Sequence, residues 1–227
     1  MTISTAMATS FKSEILQAGH CFAATVTPTG SASSGATLIT SVSSMTGVNV
    51  GMSASGTNIV ANTFVSQINS STSFTISNAT TGSISGGTIT ITGDVFKMAL
   101  IKPSMAGNYS ATSVNYSDIV GNSDETTGTG YTAGGTTLTN VTPITGGTTA
   151  YTTFSPNPSW TSATFSTVGC MIYNSSTRNG GLSGTNAVGT GRCVSVHDFS
   201  GTVSVTGGTL TILLPVYDST HSLLRIA

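Results

Sequence analysis

The stretch that decides the fold is Val95-Phe96-Lys97-Met98-Ala99-Leu100-Ile101. Successive side chains of a strand point to opposite faces, so a strand of this composition is apolar on both sides. Such a strand is expected where a sheet is covered by other layers. Pro103 then ends the run, because proline cannot donate to a sheet ladder. The stretch predicts a central strand buried in a layered β domain.

Further strand-like runs follow this stretch, separated by Gly-Gly, Asn-Pro and Ser-Pro pairs that favour turns. Pro215 places the last of these runs at a sheet edge or at a bulge. The pattern predicts an all-β layout. The strands are expected at 136–141, 150–154, 163–173, 192–199, 201–205 and 209–216.

One helix is expected, over Ser10 to Gly19. Ser10 suits the N-cap and Gly19 the end of such a helix, while Phe11, Ile15 and Ala18 share one face. Because the helix is short, it needs a packing partner to be stable.

The region before Val95 has a composition of its own. No Asp, Glu, Lys or Arg occurs from Ile15 to Gly93, and short alternating runs fill the segment. Within it, 83–91 places Gly-Gly between two alternating runs, which predicts a tight hairpin. The segment 204–212 repeats that pattern and is given the same interpretation. The long Gly-rich segment 174–191 is expected to be an exposed hairpin loop.

Charge is the most unusual feature of the composition. Charged residues make up 6% of the chain, against roughly 25% in ordinary soluble domains. A net charge of −1 lacks the basic excess that binds phosphates, so nucleic acid is not expected as a partner. No apolar run reaches the roughly 20 residues of a membrane span, and no secretory signal is recognised at the N-terminus. A surface with so little charge repulsion favours assembly, so a homo-oligomer is expected.

Disorder is the competing interpretation of a Ser-, Thr- and Gly-rich chain. The mean hydropathy of +0.24 and the recurring β-branched apolar residues favour folded β structure instead. Cys21, Cys170 and Cys193 are too few and odd in number for a disulfide scaffold, so free thiols are expected.

The candidate chemistry is sparse. Asp118, Asp124 and Glu125 form the one acidic cluster and are expected in a solvated loop, with a Ca²⁺ site as the alternative. The chain contains His and Cys residues, which are the usual zinc ligands, but they show no Cys-x-x-Cys or His-x-x-x-His spacing. No Gly-x-Ser-x-Gly elbow or phosphate-binding loop occurs. We therefore expect no catalytic residues, no metal and no cofactor. The residues of metal-ligand type are His20, Cys21, Cys170, Cys193 and His197.

Trp160 and three tyrosines each allow two interpretations. Trp160 could stack on a sugar ring or anchor a core or an interface. Tyr109, Tyr116 and Tyr131 could likewise belong to a glycan-binding surface.

Several blocks of the chain, taken in order, resemble a family of small structural proteins of tailed-phage virions. In that family the helix segment runs almost directly into the Asp-x-Phe-Lys strand, whereas roughly seventy residues intervene here, and these are similar to small β modules of phage tail and fibre proteins. The blocks are Ser10-Phe11-Lys12 with Gly19-His20, Asp94 to Leu100, Gly130 to Gly135, Cys170 to Asn174, Val194 to Phe199 and Thr209 to Ala227.

The resemblance implies an antiparallel β-sandwich main domain with one short N-terminal helix and an inserted small β domain. Residues 1–22 would be an N-terminal arm and helix of the main domain, 23–93 an inserted module projecting outward, and 94–227 the main β-sandwich. The expected protein is a bacteriophage capsid decoration (cement) protein. Its partners would be the major capsid protein and itself, as a homotrimer or other homo-oligomer. It would be made in the host cytoplasm and lie on the capsid surface of the virion.

The alternative is a tail or fibre accessory protein that contacts host surface glycans. On that hypothesis the inserted module and the aromatic loops would form the contact surface.

Overall fold

The structure is a computed structural model that describes residues 1–176 and 190–227. It is mostly β, with 45% strand, 6% helix and antiparallel sheets, so the predicted all-β class is confirmed. The elements in chain order are β1 (Ala6–Met7), α1 (Thr9–Leu16), β2 (Thr29–Ala32), β3 (Leu38–Ile39), β4 (Ser53–Gly56), β5 (Thr63–Ser70), β6 (Ser73–Ile76), β7 (Ile84–Thr92), β8 (Phe96–Ile101), α2 (Ser117–Gly121), β9 (Thr136–Leu138), β10 (Ile144–Gly146), β11 (Thr149–Thr152), β12 (Ser159–Asn174), β13 (Arg192–Thr211) and β14 (Leu224–Ile226).

The chain divides into two compact units. The first unit holds 1–20, 95–139 and 153–224, and the second holds 21–94, 140–152 and 225–227. The predicted module 23–93 lies within the second unit, which takes in two further segments. Its outward projection stays a prediction. No helix in the described residues is long and apolar enough to cross a membrane.

The first unit is built on a five-stranded sheet with the order β1-β13-β12-β8-β9. The strand β8 lies between β12 and β9, and five of its six side chains are buried, with Lys97 half-buried. The expectation of an interior strand at 95–101 is therefore confirmed, apart from Val95, which precedes the strand and is exposed.

The longest strand is β13, which runs unbroken from Arg192 to Thr211, where separate strands were expected at 192–199, 201–205 and 209–216. The register with β12 instead shifts at several points. Ser200 has a φ of 59° and Gly207 a φ of 62°, so each takes the left-handed conformation that inserts an extra residue into a strand. Bulges thus replace the expected turns, and 212–216 is not a strand.

Both predicted Gly-Gly hairpins are wrong for the same reason. The strand β7 continues through Gly86 and Gly87, and Gly86 has a φ of 58°. Opposite it, the register with β2 shifts between Gly30 and Ala32. A left-handed glycine can close a turn or make a bulge, and here a neighbouring strand keeps the chain extended.

The second unit contains a six-stranded sheet with the order β2-β7-β4-β5-β6-β3. Its two outer strands meet through Ser31 and Thr40, whose backbones exchange two 2.8 Å hydrogen bonds, so the sheet nearly closes into a barrel. Apolar side chains fill the interior, among them Met52, Val65 and Phe74. The strands β10, β11 and β14 form a separate three-stranded sheet.

The helix α1 is shorter than expected. Ala8, not Ser10, is its N-cap, and the buried positions are Phe11 and Glu14 rather than the predicted face with Ile15 and Ala18. The helix also ends before Gly19: Gln17 is its C-cap, and Ala18, with a φ of 55°, takes the left-handed position expected of glycine, while the Gly19 N–H donates to the Glu14 carbonyl. The loop expected at 174–191 lies largely outside the described residues.

Candidate functional site

Asp124 is the most buried acid of the first unit. Its carboxylate accepts hydrogen bonds from the Ala106 and Gly107 N–H groups, each at 2.7 Å, and from the Tyr109 hydroxyl at 2.6 Å. Lys102 Nζ lies 3.9 Å away. Burial acts to raise the pKa of Asp124, but these donors outweigh it and hold the pKa below its usual value.

Glu125 points to a different set of donors. Its Oε1 accepts from the Tyr131 hydroxyl and the Gly134 N–H, each at 2.7 Å, and its Oε2 accepts from the Tyr116 hydroxyl. The Tyr173 ring stacks on Tyr116 with a centroid separation of 4.5 Å. Burial, together with the bonds to Glu125, raises the pKa of both Tyr116 and Tyr131, so both stay protonated donors.

The expected solvated acidic loop is therefore wrong for Asp124, which is fully buried, and for Glu125, which is half-buried. Asp118 accepts from the Val114 and Asn115 N–H groups at 2.9 and 3.2 Å. Asp124 and Glu125 face both N–H and O–H donors and Asp118 faces N–H donors, all of which a cation would have to displace. The arrangement fits structural hydrogen bonding better than the alternative of a Ca²⁺ site.

A second buried carboxylate was not predicted. Glu14 Oε2 lies 2.5 Å from His20 Nε2, and the Asn174 amide lies 3.0 Å from His20 Nδ1. Because an amide NH₂ can only donate, Nδ1 accepts and Nε2 carries the proton that bonds to Glu14. Phe11 packs edge-on against the same ring at 4.8 Å. The set holds the His20 ring against the end of α1.

The residues of metal-ligand type are only partly brought together. Cys170 and His197 are register partners on neighbouring strands, and His197 Nε2 lies 2.9 Å from Ser195 Oγ. Burial lowers the pKa of His197 and raises those of Cys170 and Cys193 to about 12. The three cysteines all lie in described segments and form no disulfide. Within 1–176 and 190–227, no three His, Cys, Asp or Glu side chains are grouped to hold a metal.

The aromatic residues form a packed cluster. Tyr131 contacts Trp160 and Phe165 at centroid separations of 6.4 and 5.6 Å, and Trp160 meets Phe165 edge-on at 6.3 Å. Trp160 is 5% exposed and Tyr109 is 1% exposed. Of the two interpretations of Trp160, the core anchor fits this geometry, because a sugar-stacking face must be open to solvent.

One face of the first unit carries an apolar cleft of about 350 Å³. It lies beside the end of β13 and the segment 212–216. Leu213 is 79% exposed and Val216 is 68% exposed on this segment. The residues that line the cleft include Cys170, His197, Val203, Leu210, Leu213 and Pro215. Large exposed apolar side chains grouped in this way are typical of contact surfaces.

Comparison with known proteins gave no match: no family model, no curated protein and no solved structure matches this chain.

The sequence did not predict that Glu14 and Asn174 bind His20, or that Asp124 is buried. A signal was present in the composition, since acids are scarce in this chain and an isolated Glu on the core side of a short helix needs a partner. The partners themselves come from distant segments, so spacing along the chain does not indicate them.

Proposed function

We propose that this chain is a structural protein of a tailed-phage virion, acting as a capsid decoration (cement) protein. On this proposal the first unit binds the assembled head, and the second unit contains the inserted β module 23–93. The protein associates with itself and with the major capsid protein, and it works through surface contact rather than chemistry.

The observation that carries the proposal is how the ionisable side chains are used. Asp124, Glu125 and Glu14 are each held by structural donors, and the perturbed pKa values of the first unit belong to groups in these networks, to buried thiols and His197, or to Asp218 at the surface, whose pKa is lowered by its hydrogen bond with His221. A catalytic site needs such groups to face a substrate. Meanwhile the exposed apolar segment 212–216 favours binding to other protein surfaces.

The mechanism of a cement protein is thermodynamic linkage. A protein that binds only the assembled shell stabilises that shell by mass action, by about 2.7 kcal/mol per site when its free concentration is 100 times Kd. Low charge suits this role, because the bound copies do not repel one another strongly.

The test is to locate the chain in intact particles by cryo-electron microscopy and to measure the heat stability of particles that lack it. Density for both units on the capsid lattice, with earlier DNA release from deletion particles, supports the proposal. Density confined to the tail, or deletion particles as heat-stable as wild type, contradicts it.

A further inference from the structure

The outer edge of β13 has no partner strand over much of its length. β1 pairs with β13 at Val196 and Ser195, and no described residue pairs with the outer edge beyond them. From Asp198 to Thr211 the described ladder partner is β12 alone. Every second residue of an edge strand directs its backbone N–H and C=O away from the sheet, so this edge presents unpaired groups.

Side-chain charges do not protect this edge. Between Asp198 and Asp218 the sequence contains no Asp, Glu, Lys, Arg or His. Natural edge strands are commonly guarded by Lys, by Pro or by bulges. Here bulges at Ser200 and Gly207 interrupt the edge and leave 202–206 as a continuous run between them.

The free edge continues into the apolar segment. Val203 and Leu210 of β13 line the same cleft as Ile212, Leu213 and Leu214. Leu213 and Val216 expose most of their surface. Unpaired backbone groups and exposed apolar side chains thus occur on β13 and on the segment that directly follows it.

We infer that this surface, formed by 202–206 and 212–216, binds the same surface of a second copy of the chain. Antiparallel pairing of one edge with itself about a twofold axis is self-complementary. A surface without charges does not repel its own copy, whereas discrimination of a foreign partner commonly uses charge. The inference names the self-association surface and so rests on the proposed function, but it is tested on the purified protein alone.

The first experiment measures the association state of the full chain by analytical ultracentrifugation. Wild type is expected to be dimeric, and Leu213→Glu is expected to raise the dissociation constant at least about tenfold, as burying an unpaired charge does. Leu16→Glu is the matched control, because Leu16 is 89% exposed at the end of α1. Circular dichroism confirms that both variants fold. A monomeric wild type, or equal effects of the two variants, overturns the inference.

The second experiment tests the strand pairing itself. Thr202→Cys, Ser204→Cys and Thr206→Cys are made singly, because these exposed positions alternate along one face. At the position nearest the twofold axis, the two copies bring their β-carbons within disulfide range. One of the three is expected to form a covalent dimer on mild oxidation. Thr127→Cys is the control, because Thr127 is exposed but lies outside this surface, and it is not expected to form such a dimer. Failure of all three contradicts edge pairing. A monomer that still binds capsids would refute this surface and leave the proposed function standing.

Discussion

The Tyr109 hydroxyl donates a 2.6 Å hydrogen bond to Asp124 Oδ2, and both side chains are buried in the first unit. The same carboxylate holds two backbone N–H groups of the 102–109 segment. One acid therefore holds in place a polar connection that has no regular secondary structure.

Asp124→Ala is expected to lower the free energy of unfolding by about 3 kcal/mol. The substitution leaves the buried Tyr109 hydroxyl and the partly buried Ala106 and Gly107 N–H groups without this acceptor, and each such loss costs about 1–3 kcal/mol, partly relieved by water. Urea unfolding followed by circular dichroism at pH 7 measures it. Asp198→Ala is the control, since Asp198 is exposed and its carboxylate accepts from the Ser200 N–H. A loss below about 1 kcal/mol for Asp124→Ala would contradict this role.

Asp124 also predicts a pH dependence. Its pKa is lowered on folding, so its stabilising contribution is complete above the unfolded pKa of about 3.9 and disappears as pH falls through the folded pKa. The stability difference between wild type and Asp124→Asn is expected to be constant from pH 7 to about 5 and to narrow below about pH 4. Thermal unfolding across this range measures it, and a difference independent of pH would count against the assignment.

Gly207 and Gly208 are expected to respond differently to substitution by alanine. Gly207 has a φ of 62° with open space around it, whereas Gly208 meets Val205 at an ordinary contact distance of 3.4 Å. Gly207→Ala should lower stability by about 1 kcal/mol, because alanine disfavours the left-handed conformation. Gly208→Ala should be near neutral. Equal effects would show that the bulge does not depend on Gly207.

Gly134 and Gly135 form a second matched pair. Both have positive φ, but a β-carbon at Gly135 would lie 1.8 Å from the Met98 carbonyl oxygen, while one at Gly134 would come no closer than 3.5 Å to Tyr173. Gly135→Ala is expected to cost more than about 3 kcal/mol or to prevent folding, and Gly134→Ala about 1 kcal/mol. Soluble yield and melting temperature measure the contrast. Similar values for the two variants would be inconsistent with this close approach.

Cys170 and Cys193 are expected to resist alkylation in the folded protein. Both thiols are buried, and burial raises their pKa to about 12, so the reactive thiolate is scarce at pH 8. Iodoacetamide labelling followed by mass spectrometry should modify them only after urea is added. Rapid labelling of either one without urea would contradict the packing.

The sequence predicted correctly those features of the fold that depend on apolar side chains. The interior strand at Phe96–Ile101 follows from its side chains alone, as does the all-β class. The predicted hairpins were wrong because a left-handed glycine fits either a turn or a bulge. Gly86 and Gly207 have such a conformation and lie in bulges, although the same residues could have formed turns. The depth of Asp124 depends on N–H groups at Ala106 and Gly107, and no spacing rule links an acid to such donors.

The two backbone hydrogen bonds between Ser31 and Thr40 affect how readily this sheet can aggregate. No Asp, Glu, Lys or Arg lies between Ile15 and Gly93, so the six-stranded sheet has no charged gatekeeper residues within that stretch. Joining its first and last strands at these residues reduces the free edge on which another chain could add a strand. The six-stranded sheet is thus protected against fibrillar growth by its topology, a safeguard that neither salt nor pH would weaken.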